Sequence, residues 1–295
     1  VIDRVFDSLQ GLGVRLVFGF FRILPLDMAS ALGGWIARTI GPRLGTSRRA
    51  RQRLLRALPD LDAPTADRAI LRMWDNLGRV VAEYPHLTRM SVFEPGARIE
   101  VIGTEHVDAA RAARKPILFV SGHFGNWEIA AIAATRYGLD ILQVYRAADT
   151  QSVEAVMHDL RRSLGVEPVA KGASGARRIV AALKAGRSVM MLIDQKMNDG
   201  ISVPFFGREA MTVSAPAVMA LRYGAVLIPG RIDRLTGARF RLTLYPPIEV
   251  TATGDPQADQ RAIMTRANAI LEGWIREDPG AWFWLHRRWP EDGKR

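Results

Sequence analysis

"KPILFVSGHFGNWEIAAIAATRYG" (residues 115–138) decides the fold. "PILFVSG" reads as a buried strand, and "NWEIAAIAATRYG" carries apolar residues at helical intervals and ends in Gly near a C-cap. Gly122 and Gly125 let the backbone turn tightly between the two. His123 therefore stands just past a strand, with Glu128 expected in the first helical turn and Asn126 as its N-cap. Ligands of open α/β sheets gather at the carboxyl ends of strands, so this position suits chemistry.

Outward from this unit the pattern repeats. "RIEVIG", "DILQVYR", "SVMMLID" and "AVLIPGRI" are strand candidates, and "RFRLTLY" follows "RLTGA" as a hairpin partner. "QSVEAVMHDLRRSLG" and "SGARRIVAALKAG" are helical, as are residues 47–90 and the closing "RAIMTRANAILEGWIRED" (261–278). The alternation implies an α/β fold with a largely parallel or mixed central sheet covered by helices. With no repeat, low-complexity tract or composition break, residues 46–295 read as one α/β domain behind an N-terminal helical element, 1–45.

That element holds "LQGLGVRLVFGFFRILPLDMASALGGWIARTIG" (9–41). Arg15, Arg22, Asp27 and Arg38 interrupt apolar stretches too short for the roughly 20 residues of a membrane-spanning helix. No polar cleavage region follows, as a signal peptide would require. The expectation is a hydrophobic helical membrane-association element, its arginines on headgroups, against the alternative of helices packed on the protein's own core.

The chain carries a net charge of +11 and no cysteine. Disulfides, thiolate metal sites and cysteine nucleophiles are excluded together. The arginine run "RLGTSRRARQRLLR" (43–56) calls for an anionic partner, or else is a solvated helix face. No nucleic-acid-binding signature accompanies it, so an anionic membrane surface is expected and nucleic acid is not.

His123 with Glu128 has the residue types of a general base and its orienting carboxylate. A second His-x-x-x-x-Glu, His286 to Glu291, has neither a strand before it nor a helix after it, and is read as structural or substrate-facing. No metal site is expected, since no second histidine lies at ligand spacing from His123. No G-x-S-x-G nucleophile elbow occurs. "KGASGARR" (171–178) is too degenerate for a phosphate loop.

"HFGNWE" resembles the H-x4-[D/E] motif of the glycerolipid acyltransferase superfamily, and in particular the bacterial lipid A biosynthesis lauroyl (late) acyltransferases, which carry Glu in the second position. Three further blocks are similar to that family: "ILQVYRAAD", "SVMMLIDQKMNDGISVPFFGREAMT" and "AWFWLHRRW". The resemblance implies transfer of a fatty acyl group from acyl carrier protein, or from acyl-coenzyme A, to a hydroxyl of a lipid A precursor. The setting it implies is the cytoplasmic face of a bacterial inner membrane. It implies His123 as general base and Glu128 as its partner, with direct attack, no acyl-enzyme and no cofactor. Asn126, Arg146, Asp194, Gln195, Arg287 and Arg288 become candidate substrate contacts, Arg146 through a phosphate. Asp194 and Gln195 have a structural turn as the alternative. "SVPFFGREAMT", read as a loop, places two aromatics either in an acyl channel or in the core. Trp284 and Trp289 either meet headgroups or are core residues. Other acceptors within the superfamily (a phosphatidylinositol mannoside, a lysophospholipid, an ornithine-type lipid) and a thioesterase or lipid hydrolase are the competing readings. The mannoside branch typically carries Asp at the Glu128 position.

Overall fold

A computed structural model of the chain describes residues 2–148 and 150–290. The helices α1 (Ile2–Ile23), α2 (Leu26–Ile40), α3 (Gly45–Ala57) and α4 (Ala63–Glu83) come first, followed by a 3-10 turn, Tyr84–Arg89. Asp62 caps α4, accepting the Thr65 N–H at 2.7 Å, and Pro64 suits the first turn, where its missing N–H costs nothing. The α/β region then runs β1 (Ile99–Ile102), α5 (Thr104–Ala112), β2 (Ile117–Ser121), α6 (Ile129–Arg136), β3 (Ile141–Tyr145), α7 (Gln151–Ser163), β4 (Glu167–Ala170), α8 (Ala173–Lys184) and β5 (Ser188–Leu192). It closes with β6 (Ile201–Phe205), β7 (Arg208–Thr212), α9 (Ala215–Tyr223), β8 (Val226–Arg234), β9 (Phe240–Leu244) and α10 (Pro256–Glu277).

Among the described residues, seven strands form one sheet in the order β1-β9-β8-β2-β5-β3-β4. Every pair is parallel except the β8–β9 hairpin. Each strand expected from sequence is present. β4 went unread because "VEPVA" is short and contains Pro168. The "SVPFFGREAMT" segment is not a loop but the antiparallel hairpin β6–β7, closed by Phe206 and Gly207 at positive φ, 52° and 67°. Two positive φ values in a two-residue turn match the twist of the flanking strands.

The sheet has an apolar layer on each face. Leu118, Val120, Leu142, Val144, Val189 and Met191 point toward α4, α8, α9 and α10. Their neighbours Ile117, Phe119, Ile141 and Met190 point the other way, toward α5 and α6. All five residues of β2 and of β3 are buried, as expected for central strands covered on both sides.

No described helix is long and apolar enough to cross a membrane. α2 lies against α4 through facing glycines: a Cβ added at Gly33 would come 2.4 Å from the Gly78 carbonyl oxygen. α1 buries Phe21 and stacks Phe18 on Tyr84 at 5.8 Å between centroids. Its opposite face leaves Leu9, Leu12, Leu16, Phe20 and Ile23 exposed.

Candidate active site

β2 and β5 are parallel neighbours with Ser121 opposite Leu192. Continued by two residues past the strand ends, that register sets His123 opposite Asp194. The Asp194 carboxylate accepts the His123 backbone N–H at 2.7 Å and meets the ring Nδ1 at 2.8 Å. An ionised carboxylate only accepts, so Nδ1 carries the hydrogen and Nε2 keeps a lone pair. Gly122 permits this approach, since a Cβ there would sit 3.0 Å from Asp194 Oδ2.

The partner carboxylate is therefore Asp194, and the expected His123–Glu128 pair does not form. α6 starts at Ile129, three residues later than Asn126, so Glu128 occupies the N-cap position and points into the protein. It is buried and accepts hydrogen bonds from the Tyr84 hydroxyl at 2.6 Å, Gln143 Nε2 at 2.9 Å and Arg161 at 3.0 Å. Burial opposes its ionisation most strongly, but Arg161 and these hydrogen bonds outweigh that and hold the carboxyl below its ordinary value. Asn126 is no substrate contact either. It is fully buried and donates to Glu83 Oε2 at 2.9 Å, while Glu83 also accepts from Ser30 at 2.7 Å and pairs with Arg234. Asn76 adds a hydrogen bond to the Gly125 carbonyl at 2.8 Å, so α2, α4 and the end of β8 clamp the loop carrying His123.

The C-terminal segment returns to the same place. Trp282 Nε1 donates to Asp194 Oδ2 at 2.8 Å, fixing the carboxylate from behind. His286 packs edge-on against His123 with ring centroids 4.2 Å apart, and Phe283 and Trp127 complete an aromatic collar. Burial above all, and then the nearby His123, push His286 down to about 3, so it is neutral at neutral pH. Burial also disfavours the Asp194 anion, yet His123 and His286 together keep its carboxyl well below the usual range. Arg288 does not reach substrate: it is fully buried, bonded to the Met211 carbonyl, Thr212 and Asn268. Trp284, Trp289 and Phe205 are fully buried core residues and Phe206 is buried beside them, which settles the two-way readings of these aromatics toward packing. Arg287 is exposed, and Glu291 lies outside the described residues.

His123 opens onto a polar cavity lined also by Trp127, Gln143, Arg146, Arg161, Lys171 and Gln195. Arg146 and Gln195, two of the candidate substrate contacts, line this cavity with the histidine. Lys171, Gln143 and Arg161 were not read as site residues, because nothing local marks them. On the far side of Met190 lies a second, apolar cleft under α6, with Phe119, Ala130, Ala134, Leu139 and Leu242 among its walls. His123, Asp194 and His286 also bring potential metal-ligand atoms within 4.8 Å of one another. Both Asp194 oxygens already accept hydrogen bonds from His123 and Trp282, so the set is arranged as a hydrogen-bonded pair with a neutral imidazole beside it. Ser121, two residues away, is buried and donates to the Gly230 carbonyl at 2.6 Å, which removes it as a nucleophile.

A histidine–carboxylate pair at the strand ends of an α/β sheet is an arrangement suited to general-base chemistry. The chain belongs to the bacterial lipid A biosynthesis acyltransferase family, whose model matches residues 8–291, and it is an acyltransferase. It is 26% identical over 293 residues to a phosphatidylinositol mannoside acyltransferase of Mycolicibacterium smegmatis, covering 98% of this chain and 93% of that one. It is 27% identical over 268 residues to the lipid A biosynthesis palmitoleoyltransferase of Escherichia coli, covering 84% and 83%. To the lipid A biosynthesis lauroyltransferase of the same organism it is 26% identical over 240 residues, covering 78% and 74%.

Proposed function

We propose that the protein transfers a fatty acyl group from a thioester, carried by acyl carrier protein, to a hydroxyl of a lipid A precursor, with His123 as general base and Asp194 as its partner. The observation that carries this reading is the His123–Asp194 pair at the rim of a polar cavity. The acceptor hydroxyl gives its proton to His123 Nε2 as its oxygen attacks the thioester carbonyl. The tetrahedral intermediate then collapses with loss of the C–S bond, and the imidazolium returns the proton to the departing thiolate. Asp194 holds the tautomer that leaves Nε2 free and stabilises the imidazolium between the two transfers. The apolar cleft under α6 takes the acyl chain, reached past Met190, which lines both spaces.

The exposed row Leu9, Leu12, Leu16, Phe20 and Ile23 falls on one side of α1, and Met28 and Trp35 extend it onto α2. We assign this row to the lipid interface of an inner membrane, with arginines such as Arg15 and Arg22 on anionic headgroups. A solvent-facing apolar row of this length is otherwise costly for a soluble protein.

The relatives named for a phosphatidylinositol mannoside support a second acceptor reading, so the deciding experiment offers both. Purified protein, labelled acyl carrier protein thioester and each lipid are incubated and the products resolved by mass spectrometry. An acylated lipid A precursor is expected. Acylation of the mannoside alone moves the assignment to that acceptor, and free fatty acid alone refutes acyl transfer in favour of hydrolysis. His123→Ala should lower turnover by about 10²-fold or more.

A further inference from the structure

α1 and α7 touch at one end and part at the other. Where they touch, a Cβ added at Gly11 would lie 2.6 Å from Ser152 Cβ, and the Ser152 hydroxyl donates to the Asp7 carbonyl. Further along α1, a Cβ added at Gly19 meets nothing within 4 Å. A groove of about 560 Å³ opens there, within the roughly 300–1,000 Å³ of ligand sites. Its α1 wall is Arg15, Phe18, Gly19 and Arg22, which recur at the i, i+3, i+4, i+7 spacing of one helix face. Val156, Leu160 and Leu164 of α7 oppose them, and Tyr84, Pro85 and Leu87 close the end.

This groove joins apolar walls to unmatched positive charge. Arg15 and Arg22 are exposed and pair with no carboxylate among the described residues. Seven residues apart, they stand about 10 Å from each other along the helix. Asp159, the acid in the lining, has 81% of its side chain exposed and stands 3.9 Å from His158. Arg161, at the floor, is already matched by Glu128 at 3.0 Å. Tyr84 and Arg161 also line the cavity of His123 from its other side, and their hydrogen bonds to Glu128, at 2.6 and 3.0 Å, make them a partition between the two spaces. An occupant of the groove is therefore held apart from the reacting groups. Glycine inside a helix is unfavourable relative to alanine, and at position 19 no neighbouring atom needs the room that it leaves. A molecule lodged between the helices does need it.

We infer that the groove between α1 and α7 seats one anionic phospholipid of the bilayer, with an acyl chain against Phe18, Gly19 and Leu160 and its phosphate within reach of Arg15 and Arg22. The charge selects an anion and the apolar walls select a chain. The groove also opens beside the exposed row of α1 that includes Leu12, Leu16 and Phe20, so a lipid seated in it adjoins the surface assigned to the membrane. The site is independent of acyl transfer and, because it is tested in detergent, of whether that row meets a bilayer.

The full chain in dodecyl maltoside is titrated with dioleoyl phosphatidylglycerol and, separately, with dioleoyl phosphatidylcholine, and bound lipid is counted by native mass spectrometry. One phosphatidylglycerol should bind, at least about tenfold more tightly than phosphatidylcholine. Gly19→Leu fills the groove, and Arg15→Gln with Arg22→Gln discharges it; each variant should weaken binding by about tenfold or more. Gly13→Leu is the control: a Cβ there also meets nothing within 4 Å, but the position lies outside the groove, so it should bind like the wild type. Undiminished binding by Gly19→Leu, no preference for the anionic lipid, or an equal loss in Gly13→Leu overturns the site. Acceptor kinetics in phospholipid-free detergent separate the remaining occupant. An unchanged acceptor KM in Gly19→Leu supports a bilayer lipid, and a raised one overturns that assignment in favour of the acceptor's own chain.

Discussion

Asp194→Asn separates the two carboxylates that compete for the role of His123's partner. The geometry dictates how the amide sits. Oδ2 accepts two N–H groups, from the His123 backbone at 2.7 Å and from Trp282 Nε1 at 2.8 Å. In the asparagine the single oxygen must take that place, because an NH₂ there would face two donors. The NH₂ then faces Nδ1 and donates to it, which moves the ring hydrogen to Nε2 and abolishes the base. The imidazolium also loses its counter-charge, worth about 4 kcal/mol at roughly 4 Å and an effective dielectric of about 20. That alone is about a thousandfold in rate, and a wrong tautomer in a comparable triad costs about 10⁴. We expect kcat to fall by about 10³ to 10⁴ in a steady-state acyl-transfer assay, with the unfolding midpoint measured in parallel. Glu128→Gln should instead act mainly on stability, by roughly 3–5 kcal/mol, since it leaves Arg161 without its buried anion. Should Asp194→Asn keep activity within tenfold of wild type while a folded Glu128→Gln loses a thousandfold, the pairing described above is wrong.

His286 gives a pH signature. A free histidine takes up a proton near 6.5, whereas His286 in the native site does so only at about 3. Between those values the unfolded chain binds a proton that the native site refuses, so stability is full above pH 6.5 and falls as the pH drops toward 3. From pH 6.5 to 5 this one group should remove about 1–2 kcal/mol, read by urea unfolding, and His286→Gln should flatten that part of the profile; identical profiles would contradict the burial assigned to the ring. For the exposed face of α1, Leu16→Asp, Phe20→Asp and Ile23→Asp should each weaken binding to anionic vesicles by at least about tenfold, given about 1.5–3 kcal/mol per buried side chain. Unchanged co-sedimentation of the triple variant would remove α1 from the interface. Point substitutions suit this test better than truncation, because α2 is packed on α4 through Gly33 and Gly78.

The fold was legible because its signal is local. A buried run such as "PILFVSG", a glycine turn and an apolar-periodic helix declare a βα unit within twenty residues, and the unit recurs. What stayed unread at this level was short or irregular. β4 carries a proline, and the β6–β7 hairpin closes on Phe206–Gly207, where a bulky residue adopts a positive φ that propensity argues against.

The site was legible only in part, for a different reason. His123 announces itself by position, but its partner is chosen by strand order. Asp194 lies 71 residues away, and it reaches Nδ1 because β5 crosses over to lie beside β2 instead of following β3 outward. Glu128, five residues off, is separated from His123 by a turn; it lines the same cavity, but its carboxylate is taken up by Tyr84, Gln143 and Arg161. Spacing along the chain favoured the near carboxylate, and the register of a parallel pair favoured the far one. The same crossover explains why Trp282 and His286 join the site from the chain's end: a carboxylate buried between β2 and β5 leaves one oxygen with room for another donor, and the C-terminal segment supplies the Trp282 N–H. Two carboxylates thus stand near His123: Asp194, which bonds the ring, and the motif's Glu128, which holds Arg161 in the cavity wall.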